Sequence, residues 1–132
     1  MALESPLFSP LGGQPCAGYQ LEIEGEGRSV RRRIEVRRPF RILDGGVSAH
    51  VPASAGRWVF EATATRRIAA DEPMSENLMA LLGRVPEAVW LRRAGVALRL
   101  TECALVAGGE CHVVGVARSA AVMAYAAEIE VA

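Results

Sequence analysis

The side chains able to do chemistry are few and scattered. Five arginines stand close together as Arg31-Arg32-Arg33 and Arg37-Arg38. On a strand, Arg31, Arg33 and Arg37 share one face and are the candidate binding residues for a phosphate backbone. Single-strand binders add aromatic platforms on which bases stack, and the neighbouring sequence offers none in the open. The competing reading is a solvated face paired with acids. His50, Cys103, Cys111 and His112 are the candidate soft metal ligands. Positions 111 and 112 point to opposite faces of a strand, so no metal site is expected, and no other cofactor. Cys103 or Cys111 as a nucleophile needs a positioned base, and His112 faces away from Cys111. Glu102 stands in phase with Val96, Leu98 and Leu100, where an apolar residue is expected. A carboxylate there must be hydrogen-bonded, and the expectation is that it holds the loop at Gly108-Gly109 or an arginine. The glycine pairs at 12–13, 45–46 and 108–109 lack phosphate-loop spacing and are turns. With no catalytic constellation, the chain leans away from being an enzyme.

Composition sets the frame for these residues. A chain of 132 residues, 51% hydrophobic, makes one domain over 1–132 with a core of its own. Fifteen basic residues, all arginine, cancel fifteen acidic ones, so no net field draws in nucleic acid or an anionic membrane. Three cysteines are too few for a disulfide framework, and reduced thiols are expected. No apolar run approaches the ~18 residues of a membrane span. The first residues lack the basic and apolar regions of a signal peptide. As it stands the chain is expected to be soluble.

The elements that must position these side chains are mostly strands. Residues 1–15 are an irregular, Pro/Gly-rich lead-in, with a short strand at Leu3. Alternation of apolar and polar residues predicts a strand over 16–24, with Ala17, Tyr19, Leu21 and Ile23 in phase, and a second over 29–38. A four-residue turn at 25–28 would set Glu24 against Ser29, Glu22 against Arg31, Gln20 against Arg33 and Tyr19 against Ile34. Apolar side chains would then meet on one face and charged ones on the other. Pro39 interrupts the ladder. Residues 40–43 and 47–51 form a hairpin about Asp44-Gly45-Gly46. Residues 57–68 read as a strand with Trp58, Phe60, Ala62 and Ala64 inward. The period then changes. Asp71-Glu72-Pro73 is a helix start, and 73–94 is a helical pair or a broken helix stopped by Gly83 and Gly95. Met74, Leu78, Leu81, Trp90 and Leu91 form its apolar stripe, read as packing over one end of the fold. Strands over 96–106 and 111–117 form a closing hairpin around 107–110, and 122–131 is a last strand. Strand-rich order with one helical insertion before the closing hairpin gives a mainly β, β-rich α+β class, a small Greek-key, OB-like β-barrel.

Three stretches carry a family likeness. Ser9-Pro10-Leu11-Gly12-Gly13-Gln14-Pro15-Cys16-Ala17-Gly18-Tyr19 resembles the opening of the GIDE-type domain, also described as a beside-a-membrane domain. Mitochondrial ubiquitin ligases of the MULAN/GIDE kind and bacterial relatives share it. Pro39-Phe40-Arg41-Ile42-Leu43-Asp44-Gly45-Gly46 is similar to the family's hairpin. The run from Arg99 through Glu102 and Gly108 to Gly115 is similar to its late strand pair. The matched positions are Pro10, Leu11, Pro15, Cys16, Tyr19, Pro39, Phe40, Asp44, Gly45, Glu102, Gly108 and Gly115, all scaffold residues. Relatives carry flanking membrane helices and one further strand before the opening motif, and the last strand here is expected to fill the edge that strand would leave. The resemblance implies a non-catalytic, membrane-proximal domain on the cytoplasmic side that binds a protein or peptide. Ubiquitin-ligase activity belongs to a separate zinc-binding RING module, whose paired cysteine ligands this bacterial-type, RING-less chain lacks. A single-stranded nucleic-acid module using the Arg31–Arg38 strand is the alternative.

Overall fold

The alternation over 16–24 produces the central strand of the molecule. The computed structural model describes residues 7–54, 56–59, 61–116 and 122–131; for Asp44 and every residue from 110 onward it describes the backbone alone. Strand β2 (Pro15–Gly25) is flanked on one side by β1 (Leu7–Phe8) and β3 (Arg31–Arg37), and on the other by β7 (Leu98–Val106). Strand β6 (Ala64–Ile68) closes this five-stranded antiparallel sheet on the far side of β7. A second sheet runs in the order β5 (Val47–Val51), β4 (Phe40–Asp44), β9 (Val122–Val131), β8 (Glu110–Val116). Two helices, α1 (Glu76–Leu82) and α2 (Pro86–Arg93), stand between β6 and β7. The chain is a β-rich α+β fold with a sheet curled into a half-barrel, as the strand-rich order implies.

The β2–β3 register departs from the expected one by two residues. Glu24 opposes Arg31, Glu22 opposes Arg33, Leu21 opposes Ile34 and Tyr19 opposes Val36. Six residues, 25–30, follow the last ladder pair, closed by Gly25 N donating to Val30 O at 3.2 Å and Arg28 N to Gly25 O at 3.0 Å, with Gly27 at φ +72°. A slip of two preserves side-chain parity, so acids still meet arginines on one face although the partners change.

Four further expectations are corrected. Only 64–68 of the stretch 57–68 joins the ladder, because Trp58 turns aside to pack on Phe40. Ala62 is exposed, and Phe60 and Leu3 lie outside the described residues. The helices start later than Pro73: Ser75 is the N-cap, its hydroxyl accepting from Leu78 N at 3.3 Å as a serine cap should. Strands β7 and β8 are no hairpin. They lie in different sheets, and β8 pairs with β9 instead. Nor does β9 fill an edge, since it sits between β4 and β8. The hairpin at 44–46 forms with Gly45 and Gly46 as its two turn residues, at φ +54° and +86°, the geometry of a type I′ turn.

Two crossings join the sheets at one place. Arg38 N donates to Ala17 O at 2.7 Å where β3 gives way to β4, and Ala107 N donates to Pro15 O at 2.9 Å where β7 gives way to β8. The main core lies between the first sheet and the helices, with Tyr19, Leu21, Ile23, Ile68, Leu98 and Leu100 against Leu78, Leu82, Val85 and Ala88. A smaller core of Ala17, Phe40, Ile42 and Val51 ties the second sheet to the other face of β2.

Candidate interaction surface

Strand phase places Glu102 inside the main core, where it is 2% exposed. Its Oε1 accepts from Leu11 N at 2.8 Å and Gly12 N at 3.2 Å, and its Oε2 from the Thr63 hydroxyl at 2.9 Å. Two successive amides converging on one oxygen make a small anion-binding nest. The expectation of a loop-holding carboxylate is met at a different loop: Glu102 holds 11–12 of the opening motif rather than 108–109 or an arginine. The loop is closed further by Gln14 N donating to the Ser9 hydroxyl at 2.9 Å and Ser9 N donating to Gln14 O at 2.9 Å. Among the described residues, no buried side-chain nitrogen or oxygen lacks a hydrogen-bond partner, so this cluster is saturated.

Cys16 and Tyr19 share that surrounding. Burial, and then the neighbouring Glu102 charge, push the Cys16 thiol up to about 11. Burial and then Cys16 raise the Tyr19 hydroxyl as well. A thiol held protonated is a poor nucleophile. Cys103, half-buried on the opposite face, is also a free thiol raised by burial. The side chains of Cys111 and His112 lie outside the description. Among the described residues no three His, Cys, Asp or Glu side chains gather into a metal-holding group.

The structure separates the remaining motif residues. Pro10, Leu11 and Pro39 are partly buried, Pro15 is exposed, and Phe40 is in the smaller core. Gly45 and Gly108 take positive φ in turns, Asp44 ends β4 opposite Val47, and Gly115 lies within β8. These are scaffold positions.

The arginine strand is spent on its own neighbours. Arg31 pairs with Glu24 at 3.5 Å, Arg33 with Glu22 at 3.1 Å, Arg37 with Glu35 at 3.3 Å, and Arg32 with Glu87 of α2 at 3.0 Å. Donation from Gln20, and then Arg37, hold the Glu35 carboxyl below its usual range. The Arg37 guanidinium also stacks 5.0 Å from the Trp58 ring centre, and Trp58 meets Phe40 edge-on at 5.4 Å, a cation–π and aromatic pair. Gly18 lets this ring approach: a Cβ there would lie 2.6 Å from Trp58 Cζ3. An open cleft of about 610 Å³ lies among Glu26, Arg28, Arg67 and Asp71, and within it Arg67 and Glu26 pair at 2.5 Å.

The helices present a different surface. Arg92 donates to Ala70 O and Glu72 O at 2.8–3.1 Å, pinning α2 to the segment before α1. Leu78, Leu82 and Ala88 are buried beneath, and Leu91 packs on the core. Trp90, expected inside, is 63% exposed, and Met79 of α1 is 54% exposed. The sequence did carry the signal for Trp90. It sits two residues from buried Ala88, about 200° around the helix, on the opposite face. Thr63, which completes the Glu102 cluster, had no periodic signal, because its role depends on a residue 39 positions away, and Ser9 closes the loop through Gln14 outside any periodic element.

No family model matches the chain, and no curated protein or solved structure matches it.

Proposed function

We propose that this is a non-catalytic protein- or peptide-interaction domain of the GIDE kind, membrane-proximal and without ligase activity of its own. The observation that carries the reading is the outward Trp90, joined by Met79 on the same helical pair. Tryptophan is the residue most enriched among those that dominate binding energies at interfaces, and methionine adapts to irregular partner surfaces. The inward faces of both helices are committed to the core, so these two side chains are surplus to folding. The membrane-proximal part rests on the sequence resemblance alone.

The alternative, a single-stranded nucleic-acid module, relies on Arg31, Arg33 and Arg37. Each has an acidic partner at 3.1–3.5 Å, which weighs against counterion release to a phosphate backbone. A photoreactive benzoylphenylalanine at position 90 is expected to cross-link to a distinct protein in the native host, while the same group at exposed position 61 does not. Equal labelling at both positions would sink the helical surface. Retention on single-stranded DNA that falls steeply with salt would favour the arginine strand instead.

A further inference from the structure

The sheet edges at β3, β6 and β5 differ in charge. β3 carries Arg31, Arg32, Arg33 and Arg37, and β6 carries Arg66 and Arg67. Charged rims of this sort resist the addition of another strand. β5 reads Val47-Ser48-Ala49-His50-Val51, without an arginine, aspartate or glutamate. Val51 is buried in the smaller core, yet Val47 is 54% exposed and Leu43 of β4 is 38% exposed. The two-residue Gly45-Gly46 turn fixes the hydrogen-bond phase of the hairpin. Asp44 with Val47, Ile42 with Ala49 and Phe40 with Val51 are the bonded pairs. The N–H and C=O of Ser48 and His50 therefore point away from β4. Among the described residues no strand pairs with that side of β5, and no turn or loop bond engages it.

We propose that β5 pairs antiparallel with β5 of a second copy of this chain, about a twofold axis at Ala49. This inference does not rest on the helical surface. In that register Ser48 of each copy faces His50 of the other and exchanges both backbone hydrogen bonds, giving four across the axis. Ala49 meets Ala49 in the close, non-bonded pair. Val47 of each copy meets Val51 of the other, so the exposed valine is covered where the smaller core reaches the sheet edge. Polar side chains share one face and apolar ones the other, with no like charges opposed. The register is unique for this strand. A slip of two in one direction sets Ser48 against Pro52, which has no donor, and in the other sets His50 against Gly46. The same pairing through β3, centred on Ile34, would oppose Arg31 to Arg37. A twofold, self-complementary interface is the commonest arrangement of two identical chains.

Sedimentation equilibrium of the full chain is expected to show a concentration-dependent species of twice the 14.1 kDa chain mass. His50→Pro removes an outward donor and leaves the β4–β5 ladder intact, a substitution that edge strands tolerate. Losing the two symmetry-related bonds should weaken the dimer roughly tenfold or more. Ala49→Cys should link to itself under mild oxidation, since the close antiparallel pair has a Cα separation of about 4.5 Å, inside the disulfide range. Neither the unsubstituted chain nor Glu61→Cys should cross-link in this way. Trp90→Ala should leave the dimer unchanged, which separates this interface from the helical one. A monomer throughout the concentration range, or a dimer that survives His50→Pro with no cross-link at 49, would overturn the proposal.

Discussion

Replacing Glu102 by alanine removes both carboxyl oxygens from a site where two backbone amides have no other partner in view, while the Thr63 hydroxyl keeps the backbone carbonyl of residue 102. The expected loss is about 2–4 kcal/mol, the range for orphaning buried donors, read by urea unfolding. Glu102→Gln keeps an oxygen for Leu11 and Gly12 and turns an amide toward Thr63, so it should lose about 1–2 kcal/mol. A change below about 0.5 kcal/mol for the alanine variant, the level of an ordinary surface substitution, would mean that the opening loop holds itself. Cys16 gives a pH test. Its folded pKa is raised from 9.0 to about 11, so the native state binds this proton more tightly than the unfolded chain does. The thiol's contribution is intact below pH 9 and is lost as pH climbs through about 11. A Cys16→Ala chain should show a shallower decline over that window, measured against the parent by thermal melting at stepped pH. Both effects were half-legible in the sequence. The phase of Glu102 announced a buried carboxyl, but nothing local named Leu11, Gly12 or Thr63, which lie 91, 90 and 39 positions away.

At the scale of elements, Gly18 is where β2 admits the Trp58 ring. A Cβ at that position would meet Trp58 Cζ3 at 2.6 Å and Val36 O at 2.9 Å, so either the ring or the strand must move. Gly18→Ala is expected to destabilise by about 1–3 kcal/mol, the cost of forcing a packed site apart. It should also change the fluorescence of Trp58, with a Trp90→Phe background isolating that signal. An unshifted spectrum would show that the ring does not depend on the glycine. Residue parity along β2, β3 and β7 was readable because one face is buried and a strand's period is fixed at two. Turn length was not, since four- and six-residue turns preserve the same parity and local residues allow either. The β7–β8 connection is not legible for a related reason: Gly108 at φ +80° marks a turn without saying which sheet the next strand joins.

For the whole molecule, the buried motif residues and the outward-facing Trp90 play different parts. Cys16, Tyr19, Phe40 and Glu102 are buried, so substitutions there act through stability. Trp90→Ala should instead leave the unfolding free energy within about 0.5 kcal/mol of the parent, as surface changes do, while removing any contact made through α2. A larger loss by urea unfolding would return Trp90 to the core. The fold class was open to reading from strand count and the single helical interruption. The candidate surface was not, because exposure depends on which faces the helices spend on the sheet.

The backbone at 15–17 has a consequence for cooperativity. Cys16 points into the larger core and Ala17 into the smaller, while the carbonyls of Pro15 and Ala17 hold the two crossings between sheets. Three consecutive residues thus belong to both halves, and neither half can open without disturbing the other. Partial unfolding of one sheet, common where domains have separable subunits of structure, is disfavoured here. Native-state hydrogen exchange should find the amides of Arg38 and Ala107, far apart in sequence, opening with the same free energy and the same dependence on denaturant.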